Sequence, residues 1–213
     1  MRAIVIGCEY SGVTTLINGL KAWGTPRGIN FHLDDHFTIP DAFHLDAQEQ
    51  QAMLDMLPGI KERFQRFQIV YHVRLINHYE HILLGGFHIE EEVYGPLYYY
   101  PGLTVHETRK YETEMPADTL LVHLKTSAAT IQARMQQDPH PHTLVQKEDI
   151  PRVQEHFARE YAASWIEHKI EIDTTDLSPQ ELLDTFLKKA RPHLGTGDML
   201  RLLAEQLDDV KGD

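Results

Sequence analysis

Short apolar runs alternate along this chain with longer stretches of helical spacing. The run Ala3-Ile4-Val5-Ile6 is rich in β-branched residues and closes at Gly7, which predicts a buried strand. Leu16, Ile17, Leu20 and Trp23 then recur three and four apart, predicting a helix over 14–23 that Gly24-Thr25-Pro26 stops. A second strand is predicted over 29–33, ending in the polar turn Asp34-Asp35-His36. Helical spacing fills 47–77, and Pro58-Gly59 divides it, because an interior proline breaks the hydrogen-bond ladder. A short strand over 81–84 ends at Gly85-Gly86. Residues 88–100 begin as a helix, turn aromatic, and close at Pro101-Gly102. Further strands are predicted over 119–124 and 170–173. The helices after them cover 127–136, with Ser127 as N-cap, 149–166, and 178–191, which Ser178-Pro179-Gln180-Glu181 opens as a capping box. Asp138-Pro139-His140-Pro141-His142 is too proline-rich for a helix and reads as a loop, while Gly195-Thr196-Gly197 sets off a helical tail.

Strand and helix alternate throughout. That order predicts a three-layer α/β domain over 1–194, with a parallel sheet of about five strands and a small tail over 195–213. Ligands of such sheets bind beyond the carboxyl ends of the strands, here Gly7, Asp34, Gly85, Lys125 and Asp173.

Composition narrows the class. With 42 % hydrophobic and 24 % charged residues in 213, the chain is neither disordered nor fibrous. No apolar run reaches the roughly 18–20 residues of a membrane span, and the first apolar stretch is too short for a signal peptide. A net charge of −12 opposes binding to nucleic acid or anionic lipid. The lone Cys8 excludes an intrachain disulfide and fits a reducing compartment, so a cytoplasmic location is expected. Fourteen histidines are the one compositional oddity.

The first turn carries the strongest chemical signal. Gly7-Cys8-Glu9-Tyr10-Ser11-Gly12-Val13-Thr14-Thr15 lies between a strand and a helix and matches the phosphate-binding P-loop pattern except at its lysine, which is Val13. Glycines there let successive amides point inward as an anion nest, and the helix N-terminus adds partial positive charge. Gly7, Ser11, Gly12, Val13, Thr14 and Thr15 are therefore the candidate phosphate-binding residues, with Thr14 where a magnesium-binding hydroxyl belongs. Lys125, Arg134 or Lys147 could replace the missing cation. The competing reading is a glycine-rich turn that holds nothing. Cys8 reads as a small filler.

From the loop onward the chain resembles the P-loop nucleoside and nucleotide kinases, most closely the thymidylate-kinase-like group, over about residues 2–190. The segment Leu84-Gly85-Gly86-Phe87-His88-Ile89-Glu90-Glu91-Glu92-Val93-Tyr94-Gly95 is similar to a family segment that begins with Asp-Arg, where this chain has Gly85-Gly86. Glu91, Val93, Tyr94 and Gly95 match it. The strand and helix up to Arg134 resemble those leading into the family's lid, here about 136–148, with histidines where arginines are usual. Arg159-Glu160-Tyr161 resembles the end of the helix after the lid, and Ile172-Asp173-Thr174-Thr175 resembles a turn near the adenine. The resemblance implies ATP and Mg2+ as donor and cofactor, and phosphoryl transfer to a nucleoside, a nucleotide or a related small molecule.

Asp34-Asp35-His36 resembles the acidic turn of uridine-kinase-type enzymes, where a carboxylate accepts a hydroxyl proton or holds magnesium. A helix-capping turn is the equal alternative. The candidate catalytic set is Asp34, Asp35 and Arg134, with Thr14 and Asp35 on the metal. His36, His88, Glu91 and Tyr94 are candidates for the acceptor, and His140, His142 and Lys147 for the lid. Tyr98, Tyr99 and Tyr100 could stack on a base or merely rim a packed helix. Glu90-Glu91-Glu92 reads as a solvated first helical turn. Two further classes stay open: a non-catalytic nucleotide-binding or regulatory protein on this scaffold, and a transition-metal site built from His32, His36, His88, His140 and His142. A homodimer is compatible with the sequence.

Overall fold

The computed structural model of the chain describes residues 1–29, 31–35, 46–103, 107–140 and 143–199, with positions 32–35, 47 and 50 described by backbone alone. Strands β1 (Arg2–Ile6), β2 (His32–Asp35), β3 (Ile82–Gly85), β4 (Thr119–Lys125) and β5 (His168–Asp173) pair in parallel in the order β2-β3-β1-β4-β5. Between them run α1 (Val13–Gly24), α2 (Ala47–Leu54), α3 (Pro58–His78), α4 (Phe87–Tyr94), α5 (Ala128–Gln137), α6 (Ile150–Ala163) and α7 (Pro179–Ala190).

Alternation along β1 splits the core in two. Ile4 and Ile6 face a layer with Ile69, Val73 and Ile76 of α3, Val93 of α4, and Val153 and Phe157 of α6. Ala3 and Val5 face the opposite layer, built from Leu16 and Leu20 of α1 and Leu182, Leu183 and Phe186 of α7. Both faces of the sheet are thus covered, as the continuous apolar strands require. Three helix starts follow local rules. Asp46 and Ser178 close capping boxes with Glu49 and Glu181, and the Ser127 hydroxyl accepts from the Thr130 amide. α3 begins at Pro58, where a missing amide hydrogen costs nothing.

Several elements differ from the sequence expectation. Asp34 and Asp35 are not a turn: their backbones extend β2, opposite Leu84 and Gly85. The aromatic segment after α4 is one wide turn of π-helix over Gly95–Tyr99. Tyr100, at the end of that turn, is fully buried. The acidic run is not solvated, since Glu91 is buried and Glu90 and Glu92 are partly so. In the tail, 196–199 are helical, and 200–213 lie outside the described residues, as do His36 and His142. Among the described residues no helix is long and apolar enough to cross a membrane.

Candidate phosphate-binding site

The turn from β1 into α1 is shaped by two left-handed residues, Tyr10 (φ 64°) and Gly12 (φ 103°), and by the Ser11 amide donating to the Cys8 carbonyl at 2.9 Å. Gly7 is required by space. A Cβ there would lie 2.3 Å from Ser11 Oγ and 2.8 Å from the Leu124 carbonyl oxygen. The helical ladder begins with the Leu16 amide bonding to the Gly12 carbonyl. The amides of residues 13–15 therefore precede the first helical bond, the ordinary source of anion affinity at a helix start. No acidic residue occupies that first turn, and Thr14 and Thr15 are exposed.

This turn opens into a cavity of about 610 Å³ at the carboxyl edge of the sheet. Gly7, Gly12, Val13, Thr14 and Thr15 line it on the loop side. Gly85, Glu90, Tyr94 and Tyr99 form a second wall. Thr174, Leu177, Pro179 and Leu182 form an apolar flank, and Arg134, Gln137, Asp138, His140 and Leu144 close the side of the lid.

The loop is held from four directions, one of them α4, where the Tyr94 hydroxyl accepts the Glu9 amide at 3.0 Å. The Ser11 carbonyl accepts the Thr174 hydroxyl at 2.7 Å, and the Arg134 guanidinium donates to the Tyr10 and Thr174 carbonyls, both at 2.8 Å. Residues 140, 144 and 145 contribute the last tie. The Glu9 carboxylate accepts from the Leu144 and Val145 amides at 3.0–3.1 Å. The Tyr10 hydroxyl accepts the His140 amide at 2.9 Å, and the two rings stack with centroids 4.5 Å apart. Burial pushes the Glu9 carboxyl up from its ordinary range, and the two amides pull it partly back. Burial likewise pushes the Cys8 thiol up to about 12, so that side chain is an inert filler.

The sequence-selected residues separate here. Gly7, Gly12, Val13, Thr14 and Thr15 come together with Tyr94, Arg134 and His140 around one cavity. Ser11 is in the wall instead, its hydroxyl buried over Gly7 and without a partner among the described residues. Asp34 and Asp35 end β2 beside Gly85. Val13 packs against the apolar α1–α7 layer. None of the three candidate stand-in cations is left to replace its lysine: Arg134 is spent on carbonyls, Lys125 pairs with Glu171 at 3.2 Å, and the exposed Lys147 is not part of the lining.

Two acceptor candidates lie elsewhere. His88 is 1 % exposed and bonds Glu112 Oε1 at 2.7 Å, behind α4. Burial alone would raise the Glu112 carboxyl, but His88 and the Trp165 amide hold it below its ordinary range. Glu91 is buried outside the cavity. Among the described residues no three histidine, cysteine or acidic side chains gather as a metal site. Sequence reasoning gave Glu9 and Tyr10 no role, read Glu90 as solvated, and placed Thr174 only within a turn resembling one near the adenine. Glu90 had a legible signal, since it stands four residues after Gly86, one helical turn along the same face.

No protein-family model matches the sequence, and no curated protein matches it. Solved structures do match the fold. YorR from Bacillus subtilis, in complex with phosphorylated GDP, aligns with a TM-score of 0.61 at 13 % identity, covering 91 % of this chain and 99 % of that one. Deoxyadenosine kinase from M. mycoides with bound dATP aligns at 0.58 and 12 % identity, covering 89 % and 98 %. The same enzyme with bound dCTP aligns at 0.56. The chain therefore has a P-loop-kinase-like three-layer fold with a parallel sheet.

Proposed function

We propose that this chain is a phosphotransferase that moves the terminal phosphoryl group of ATP to a nucleoside, a nucleotide or a related small molecule. One observation carries the reading. A turn with three unladdered amides opens into a nucleoside-sized cavity that is also lined by the Glu90 carboxyl group and by Tyr94 and Tyr99. The amides of residues 13–15 would hold the donor phosphates, and the Thr174–Leu182 flank would take the donor base. The cradle fits a phosphate, since nothing larger than hydrogen is tolerated at Gly7 and the turn has no acid on its helix start. Mg2+ would be held by the exposed Thr14 hydroxyl and by Asp35, at the end of β2. When bound, it would neutralise the phosphate charge that Val13 does not meet. The lid segment around His140 to Lys147 would exclude water.

Turnover of ATP and GTP with Mg2+, measured on a panel of nucleosides and monophosphates, tests this reading. Product formation on at least one acceptor is expected. Saturable nucleotide binding without turnover on any acceptor would replace it with a non-catalytic nucleotide-binding role.

A further inference from the structure

The end of β3 is bare. Gly85 pairs in register with Val5 on one side and Asp35 on the other, so it stands on the ligand edge between β1 and β2, and neither it nor Gly86 offers a functional group. Gly86 turns with φ 68° and its neighbour Phe87 with φ 52°, both in the left-handed half of backbone space. A Cβ on Gly86 would lie 1.9 Å from Glu90 Oε2, 2.5 Å from its Cδ and 2.9 Å from its Cβ. The volume a side chain at 86 would occupy is thus already filled by the Glu90 carboxyl group. Helical side chains lean toward the helix N-terminus, and Glu90 in the first turn of α4 leans back over Gly86 in this way. The Tyr99 hydroxyl donates to its other oxygen at 3.1 Å, fixing the group from the π-helical turn. Glu90 also lines the cavity, together with Gly85, Tyr94 and Thr14. Burial is the main reason the Cys8 thiol and the Tyr94 phenol are pushed up, and the nearby Glu90 charge adds to both.

We infer that Glu90 is a catalytic base of this site, a carboxylate delivered from α4 into the space that Gly86 leaves open, and that it receives the proton of the acceptor hydroxyl. The inference rests on the phosphotransferase reading above. The step balances without a further reactant. The acceptor O–H bond breaks and its proton passes to a Glu90 carboxylate oxygen. The freed oxygen lone pair forms the bond to the terminal phosphorus of the donor. The bond from that phosphorus to the bridging oxygen breaks, and its electron pair leaves with the nucleoside diphosphate. Glu90 then returns the proton to water. The two glycines are in this account a substitution of backbone for side chain: the acidic group reaches the ligand edge from one helical turn further on. The acceptor class follows from the wall itself. Its groups are a carboxylate and two phenols, with no basic side chain among Gly85, Glu90, Tyr94 and Tyr99, which favours a neutral polyhydroxylated acceptor such as a nucleoside over one that already bears a phosphate.

The test uses the full chain with MgATP and a nucleoside panel, with nucleotide affinity measured by calorimetry beside kcat and KM. Glu90→Gln keeps an acceptor oxygen for the Tyr99 hydroxyl, so the fold is retained. It should lower kcat about 100-fold or more while leaving nucleotide Kd within about threefold. Gly86→Ala should lower kcat by displacing the carboxyl group, and should add little to the loss in the Glu90→Gln background. Nucleosides should give a higher kcat/KM than their monophosphates. An active parent with Glu90→Gln at parental kcat overturns the assignment of Glu90 and leaves the phosphotransferase reading standing. So does a loss of nucleotide affinity parallel to the loss of kcat, which marks a structural role. A parent that binds nucleotide and turns over no acceptor overturns both.

Discussion

Two glycine turns end the two central strands of this sheet, and they do opposite things with the same freedom. After β1, Gly7 and Gly12 keep side chains out of a turn that lines the cavity together with the start of α1. After β3, Gly85 and Gly86 clear side chains away so that a carboxylate from the next helix moves in. In the proposed reading the first turn receives negative charge, whereas the second is filled by a carboxyl group. The difference lies in the helix that follows. α1 starts with no acidic residue in its first turn, whereas α4 starts with Glu90. A glycine pair at a strand end therefore does not define a phosphate site. The charge of the first helical turn behind it decides what the empty space is for.

The sharpest break of this comparison is Gly12→Val. Its φ of 103° is strained for any L side chain, and a Cβ there meets Leu182 Cδ2 at 3.3 Å. Forcing a β-branched residue into that half of backbone space costs about 1–2 kcal/mol at the least. The amides of the turn should lose their convergence, and ATP affinity should fall by about 100-fold or more while circular dichroism still reports the fold. Parental affinity in a folded Gly12→Val protein would show that the first turn receives no anion.

Arg134→Ala comes next in size. Two charged hydrogen bonds to the carbonyls of Tyr10 and Thr174 would be lost, worth about 1.5–3 kcal/mol each before relaxation. Denaturant titration should show a loss of roughly 2 kcal/mol, since the carbonyl of half-buried Tyr10 regains water while that of buried Thr174 is left unpaired, and nucleotide affinity should fall by about tenfold. Equal stability with reduced turnover would instead give Arg134 a direct role on the transferred group.

Much of the first turn was legible in the sequence, and little of the second. The glycine spacing, the strand before and the helix after all follow from local pattern, and so do the capping boxes at Asp46 and Ser178. What local pattern misses is phase and partnership. In the acidic run, one 100° step per residue sends Glu91 into the buried interior and leaves Glu90 on the cavity. His88 stands near the ligand edge in sequence, yet its ring finds Glu112, 24 residues on. Glu9 and Tyr10 fall inside the phosphate-loop pattern as filler positions, and their partners, His140, Leu144 and Val145, lie 130 or more residues away. Asp34 and Asp35 look like a turn because polar residues end the apolar run, but the ladder to β3 carries the strand through them.

Val13→Lys sharpens the comparison in the opposite direction. The cavity holds three acidic side chains, Glu9, Glu90 and Asp138, against Arg134 and His140, and Arg134 is committed to carbonyls. A lysine at position 13 would add a cation beside the amides of the receiving turn. ATP affinity should rise by about tenfold, the effect of one charge-assisted bond of roughly 1.4 kcal/mol. Turnover should change less, because the carboxylate wall is untouched. An unchanged or weaker affinity would mean that the phosphate charge is already met by a group outside the described residues.

The smallest effect concerns Glu9, the one carboxylate built into the receiving turn itself. It is directed at the Leu144 and Val145 amides, and burial raises its pKa above the ordinary value of 4.5. A raised carboxyl pKa means that the folded state binds the proton more tightly than the unfolded one. The stability this contributes is fully present below the ordinary carboxylate range and is lost as pH rises through the raised folded value. Glu9→Gln keeps an oxygen for one lid amide and removes the ionisation. Its melting temperature should therefore fall less than that of the parent as pH is raised from about 4 to 8. The same group reports on the ligand. An anion seated in the turn opposes ionisation of Glu9, so nucleotide binding near the raised pKa should take up protons in the parent and fewer in Glu9→Gln. Calorimetry in buffers of different ionisation enthalpy reads that difference directly. Equal proton uptake in both proteins would place the bound charge away from Glu9, and with it away from the first turn.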